Sequence, residues 1–77
     1  MNRINETVLD LRGLRCPHPV LQARKALREV PIGVLMLECT NPPTVIDVPH
    51  FVSRTGQLPA GEERRDDLFV FRILKQR

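Results

Sequence analysis

The stretch GLRCPHP, residues 13–19, joins a predicted strand to a predicted helix and sets how the chain turns between them. Proline suits the first turn of a helix, because the N–H that it lacks would have no partner there. We therefore predict Cys16 as the N-cap, Pro17 as the first helical residue and Pro19 as a residue of the first turn. Unpaired N–H groups and the positive end of the helix dipole would then face the thiol and lower its pKa. The leading functional hypothesis is a reactive cysteine.

The first half of the chain predicts a strand, a helix and a second strand around this stretch. Apolar and polar residues alternate late in residues 7–12, which indicates a short strand after a loose polar arm of residues 1–6. Residues 17–30 have an apolar stripe at helical spacing. Residues 34–39 form a nearly continuous apolar run, which is typical of a central strand buried on both faces.

A second helix is predicted within residues 44–55, where Pro49 complicates its start. Proline deep inside a helix costs about 3 kcal/mol or more, whereas it is tolerated in a first turn. We therefore predict Asp47 as the cap, with residues 44–46 as a preceding turn or a distorted helical start. Gly56 is expected to end the helix in a left-handed conformation.

The end of the chain predicts a hairpin. Residues 57–60 indicate a weak strand, which Pro59 restricts to a sheet edge or a bulge. Residues 61–67 are charged throughout after a glycine and predict a turn, whereas residues 68–75 alternate as a strand with Phe69, Phe71 and Ile73 on one face.

These elements predict one domain over residues 1–77, an α/β (α+β) two-layer sandwich with the order β-α-β-α-β-β. Crossovers between parallel strands are right-handed, so both helices should cover the same face of a four-stranded mixed sheet. A domain of this size buries only a modest core and has no room for a deep private pocket. We therefore expect no cofactor, and a carrier or adaptor fits better than a self-contained enzyme.

The net charge of +3 is concentrated near the cysteine. Residues 1–30 contain six Lys and Arg against three Asp and Glu, whereas the remaining residues contain six of each sign. A solvated helix face is the usual explanation for such residues. The more specific one is a docking surface for an anionic partner, with Arg24, Lys25 and Arg28 as candidate docking residues.

The two cysteines, Cys16 and Cys39, favour an intracellular setting. The N-terminus lacks the apolar run of a signal peptide, and no run approaches the length of a membrane span, so we expect a cytoplasmic protein with reduced thiols and no membrane contact. Cys39 is most simply a small buried residue of its strand. A disulfide between the two cysteines stays open at this point.

Two motifs resemble the TusA/SirA-like family. The segment Arg15-Cys16-Pro17-His18-Pro19 is similar to the family's C-P-x-P signature. Asn41-Pro42-Pro43-Thr44, followed by Asp47-Val48-Pro49-His50-Phe51, is similar to its D/N-P-x-T turn and D-I-P-x-F helix start. The resemblance extends over about residues 8–75 and includes the order of the elements, which makes it specific.

The resemblance implies a small sulfur carrier with the β-α-β-α-β-β fold. Cys16 would take a sulfane sulfur from a cysteine desulfurase or a rhodanese, hold it as a persulfide and pass it to an acceptor protein, as in tRNA thiolation. Pro17 and Pro19 would shape the turn. His18 stands where the tRNA-thiolation branch often has an acidic residue, so the acceptor is left open.

The residues themselves agree with persulfide chemistry, in which a thiolate attacks a sulfur atom. Arg15 would add positive charge beside the thiol, and His18 is a candidate for proton transfer at neutral pH. No second cysteine follows Cys16 at the spacing of a dithiol redox motif. We expect a monomer when free that works between a donor and an acceptor protein.

Three other interpretations are open. Cys16, His18, Cys39 and His50 are possible zinc ligands, but their spacing matches no standard finger, and we predict no metal. A non-catalytic RNA-binding or regulatory module would use the basic face of Arg24, Lys25 and Arg28, with weak or indirect RNA contact. A purely structural, buried Cys16 is the third.

Overall fold

The computed structural model of the chain describes residues 6–15 and 17–76. Its elements are β1 (Glu6–Leu11), α1 (His18–Glu29), β2 (Gly33–Cys39), α2 (Thr44–Thr55), β3 (Leu58–Arg65) and β4 (Leu68–Lys75). The strands lie in the order β1-β2-β4-β3, with β1 parallel to β2 and the other pairs antiparallel. The predicted element order and the four-stranded mixed sheet are confirmed. Glu6, predicted in the arm, begins β1, and the rest of the arm lies outside the described residues.

Both helices pack on one face of the sheet, as predicted. The core joins apolar side chains of β1, β2 and β4 to Ala23 and Leu27 of α1 and to Val48, Phe51 and Val52 of α2. The prediction that β2 is buried on both faces was wrong, because none of the described helices or strands covers the other face. Leu35, Leu37 and Cys39 are buried under the helices, whereas the alternate residues of β2 are only half-buried.

The start of α2 corrects the prediction of Asp47 as its cap. The N-cap is Pro43, and Pro49 is an interior residue. The first turn is tightened: the N–H groups of Thr44 and Val45 each donate to the carbonyl three residues earlier. The hydroxyl of Thr44 also donates to the carbonyl of Asn41, at 2.6 Å. This start is the distorted helical one that the sequence left as an alternative, and Thr44 and Val48 are fully buried in it.

The hairpin of β3 and β4 is longer than predicted. The strand β3 runs to Arg65, so the predicted turn over residues 61–67 is reduced to Asp66 and Asp67. Charged side chains are compatible with this strand because it lies at the sheet edge, where they stay solvated. Glu63 pairs with Arg72 of β4 at 3.3 Å and with Arg65 at 2.8 Å.

Several finer predictions for the second half are confirmed. Pro59 lies on an edge strand, next to an irregularity in the pairing with β4. Gly56 ends α2 with φ +80°. The strand β4 spans the predicted residues 68–75, with Phe69, Phe71 and Ile73 in the core. Within the described part of the chain, neither helix has the length and apolar character needed to cross a membrane.

Candidate functional site

The turn between β1 and α1 is fixed to the neighbouring loop after β2. Gly13 has φ +84°, a conformation that favours glycine, and this lets the chain reverse after Leu11. The Gly13 N–H donates to the Thr40 hydroxyl at 2.8 Å, and the Leu14 N–H donates to the Leu11 carbonyl at 3.2 Å. These bonds hold the two loops side by side at one end of the sheet.

An ion pair between Asp10 and Arg12 lies just before the turn. The guanidinium of Arg12 bonds both oxygens of Asp10, at 2.9 and 3.0 Å, and the Arg12 backbone N–H donates to the same carboxylate at 3.1 Å. The hydrogen bonds from Arg12 lower the pKa of Asp10 to about 2. Asp10 is therefore already engaged by Arg12 at the base of the turn.

The helix begins one residue later than the sequence predicted. Pro17, with φ −91° and ψ 7°, is the N-cap of α1, and His18 is the first helical residue. A hydrogen bond from the His18 N–H to the Arg15 carbonyl, at 2.9 Å, closes a four-residue turn in which Pro17 is the third residue, outside the regular helix. The prediction of Cys16 as N-cap and Pro17 as first helical residue was wrong, whereas Pro19 does lie in the first turn.

This correction changes the electrostatics expected for the cysteine. Among residues 17–19, only His18 has a backbone N–H, and it donates to the Arg15 carbonyl. The two prolines thus remove the donors that the sequence argument assigned to the thiol. Besides the start of α1, Arg15 is a source of positive charge adjacent in sequence to position 16.

The residues predicted to support the site flank position 16 on both sides. Arg15, Pro17 and His18 are exposed, whereas Pro19 is buried against the core. The His18 ring folds back, and its Nδ1 lies 3.2 Å from the Arg15 carbonyl oxygen. In the tautomer that carries the proton on Nδ1, the ring donates a hydrogen bond to this carbonyl. Cys16 itself lies outside the described residues.

The predicted docking residues divide between two sides of α1. Arg24, Lys25 and Arg28 are all exposed, but only Arg24 and Arg28 line the groove between α1 and α2. The sequence analysis did not predict two further cations that line the same groove, Arg54 of α2 and Lys75 of β4. The available signal was Arg54 in the last turn of α2, one turn after the core residue Phe51.

Cys39 has the buried position predicted for it. Its side chain is 0 % exposed and its thiol is free. Burial raises its pKa to about 11, and a hydrogen bond with Thr44 opposes that shift only in part. Such a thiol stays protonated and inert at neutral pH.

The possible zinc ligands are scattered over different elements. His18 begins α1, Cys39 ends β2, and His50 is exposed on α2. Among the described residues, no three side chains of His, Cys, Asp or Glu are grouped so that they could hold a metal ion.

Comparison with known proteins gives this turn a family context. The family model described as Sulfurtransferase TusA matches residues 7–75, which include the turn, both helices and all of β4. The chain belongs to the TusA family. The family resemblance inferred from the two motifs is thereby confirmed.

Individual relatives cover nearly the whole chain. The sulfur carrier protein TusA of Pseudomonas entomophila is 34% identical over 74 residues, which are 95% of this chain and 92% of that protein. The sulfur carrier protein TusA of Buchnera aphidicola subsp. Baizongia pistaciae is 32% identical over 73 residues, which are 94% of this chain and 92% of that protein.

A solved structure has the same fold. The SirA-like protein from Desulfitobacterium hafniense superposes with a TM-score of 0.79 and covers 88% of this chain and 95% of its own. Its sequence identity is 24%, so the likeness concerns the fold.

Proposed function

We propose that this chain is a sulfur carrier in which Cys16 accepts a sulfane sulfur as a persulfide and passes it on. The observation that carries this proposal is the exposure of Arg15, Pro17 and His18, the described neighbours of Cys16, in a chain of the TusA family, whose curated relatives are sulfur carrier proteins. A carrier must present its sulfur to two proteins in succession, and a turn at the molecular surface is open to both.

The transfer is an exchange between sulfur atoms. The Cys16 thiolate attacks the outer sulfur of a donor persulfide and forms a new S–S bond, while the S–S bond of the donor breaks and the donor leaves as a thiolate. The second transfer repeats the step with the acceptor as the nucleophile. The Cys16 thiolate supplies the electron pair of the new S–S bond, and the pair of the broken bond stays on the donor thiolate, so the sulfur moves at the sulfane level and no external oxidant or reductant is needed.

The partners are assigned by this chemistry. A cysteine desulfurase or a rhodanese is the donor, and the acceptor is another sulfur-transfer protein, as in tRNA thiolation or another sulfur-trafficking pathway in the cytoplasm. Arg15 stabilises the thiolate by charge, and the hydrogen bonds of His18 to the Arg15 carbonyl keep the turn in shape. The exposed Arg24 and Arg28 of α1 dock the partner proteins, whereas Lys25 does not line the groove between the helices.

The alternative, a non-catalytic RNA-binding module, has less support. Stacking of single-stranded bases needs exposed aromatic side chains. The chain has no Trp or Tyr, and Phe51, Phe69 and Phe71 are each at most 7 % exposed. A basic helix face alone therefore favours a protein partner over an RNA.

Intact-mass analysis after incubation with a cysteine desulfurase and cysteine tests the proposal. The wild-type chain should gain the mass of one sulfur atom, and a reductant should remove it. Cys16→Ala should gain none, whereas the matched control Cys39→Ala should gain as much as the wild type, because Cys39 is buried. Sulfur uptake by Cys16→Ala would overturn the assignment. So would the absence of sulfur uptake by the wild-type chain with every desulfurase and rhodanese tried.

A further inference from the structure

The two helices leave a groove between them that leads away from the turn. One cavity, of about 520 Å³, is lined by Pro17 and by residues of both helices, among them Arg24, Phe51 and Arg54. A second cavity, of about 470 Å³, shares these last three residues and continues to Lys75 at the end of β4. The interhelical groove, meaning these two joined cavities, thus runs from the residue after Cys16 to the far end of the sheet.

The charge of the interhelical groove is strongly uneven. The part near Lys75 is lined by the cations Arg24, Arg28, Arg54 and Lys75 and by no carboxylate. The part near Pro17 is lined by Arg24 and Arg54 again, together with Asp47 and His50. No described carboxylate forms a salt bridge with any of the four cations, and Lys75 Nζ donates one hydrogen bond to the Val30 carbonyl, at 2.7 Å, so the positive charges are not neutralised. A ligand that fits would be acidic, with most of its negative charge towards Lys75.

The length of the interhelical groove suits an extended chain better than a small ion. The helix α1, which forms one wall, has 12 residues and is about 18 Å long. An extended peptide covers about 3.3 Å per residue, so about five residues would fill this length. Such a segment would end beside Pro17, where a reacting group could approach the carrier cysteine.

We propose that the interhelical groove binds an extended acidic segment of a protein partner. Arginine forks match carboxylates in two hydrogen bonds, and three of the four cations are arginines. Among the described residues that line the groove, Phe51 is the one Phe, Tyr or Trp, and it is buried and offers no stacking surface for a base, which favours carboxylates over nucleic acid. This inference rests on the proposed function in that the partner is a sulfur donor or acceptor.

The test uses fluorescence anisotropy with a short labelled peptide of alternating Glu and Gly, titrated with the full chain at low ionic strength. Arg54→Glu should weaken binding about tenfold, because it replaces an attraction in the groove by a repulsion. The matched control Lys25→Glu changes the net charge equally, but Lys25 does not line the groove, and its effect should stay below about twofold. A charge-reversed peptide of alternating Lys and Gly should not bind.

Amide chemical shifts of the labelled chain locate the contact independently. The peptide should shift amides of Arg24, Thr55 and their groove neighbours and leave the uncovered face of the sheet unchanged. Equal weakening by Arg54→Glu and Lys25→Glu, or shifts spread over the whole basic surface, would overturn the proposal. So would tighter binding of a single-stranded oligoribonucleotide in the same groove.

Failure of this inference is distinguishable from failure of the proposed function. Sulfur uptake from inorganic polysulfide needs no docking, so Arg54→Glu should load sulfur on Cys16 from polysulfide as the wild type does. Cys16→Ala should bind the acidic peptide normally and load no sulfur. Normal loading together with absent peptide binding refutes the groove alone, whereas peptide binding without sulfur loading refutes the carrier function alone.

Discussion

The C-terminal end of β2 and the turn that follows β1 provide opposite environments, although the two strands are neighbours in the sheet. Cys39 ends β2, pairs in register with Leu11 of β1 and is 0 % exposed under the helices. The turn that follows Leu11 leaves the sheet at once, and Arg15 and Pro17 are exposed. The ends of both strands are thus closed into the core, whereas the turn that follows β1 opens to solvent within a few residues.

The difference shows how so small a fold keeps the exposed residues on either side of the proposed carrier cysteine apart from its core. Burial raises the pKa of Cys39 to about 11, so this thiol stays protonated. A thiol in an exposed turn beside an arginine keeps the solvation and charge that a thiolate needs. The separation depends on backbone geometry, because the chain leaves the sheet through Gly13 and is held there by Thr40.

The largest expected effect is on thiol alkylation. Iodoacetamide should modify Cys16 at least about a thousand times faster than Cys39, because a fully buried side chain reacts only when the structure opens, at a cost of several kcal/mol. Mass spectrometry over time should find one rapid modification in the wild type and in Cys39→Ala. In Cys16→Ser the remaining thiol should react only in denaturant. Comparable alkylation rates for both thiols in the folded chain would show that the two cysteines do not differ in accessibility.

The next effect is on stability at alkaline pH. The pKa of Cys39 rises from an ordinary value of 9.0 to about 11 on folding, so the folded state retains a proton that the unfolded state loses. This contribution is fully present below pH 9 and is lost as the pH rises to about 11, and it amounts to about 2 kcal/mol. Urea unfolding at both ends of this range measures it.

Cys39→Ala is the control for this loss. Every other ionisable group is common to both chains, so the difference between the two free energies of unfolding isolates Cys39. The variant should lose less stability than the wild type between these pH values. An equal loss of unfolding free energy in both chains would mean that burial does not raise the pKa of Cys39.

The sequence predicted best the elements whose signal is local. The alternation of Phe69, Phe71 and Ile73 fixed β4 to the residue, and Gly56 marked the end of α2 because a left-handed cap favours glycine. Helix starts were predicted less well, because proline fits both an N-cap and a first helical position. At α1 a turn bond to Arg15 decided between them, and no local pattern encodes that bond.

The site was predictable in part for the same reason. The residues around Cys16 are adjacent in sequence, so the candidate turn was found directly. The interhelical groove combines Arg24 and Arg28 with Arg54 and Lys75, which come from three elements far apart along the chain. Only the packing of α1 against α2 and β4 brings these charges together, and Lys25, a neighbour in sequence, is left outside.

The smallest expected effect tests whether the geometry of the turn controls the exposed end. Gly13 and Gly56 have φ values of +84° and +80°, and a Cβ at either would meet nothing within 4 Å. Alanine at each position should therefore cost a similar amount, about 1 kcal/mol, from backbone strain alone. Only Gly13→Ala, which lies in the turn, should also change the alkylation rate of Cys16, by about twofold to threefold. Urea unfolding and alkylation of both variants measure the pair, and equal alkylation rates would mean that the reactivity of Cys16 is independent of how the chain leaves β1.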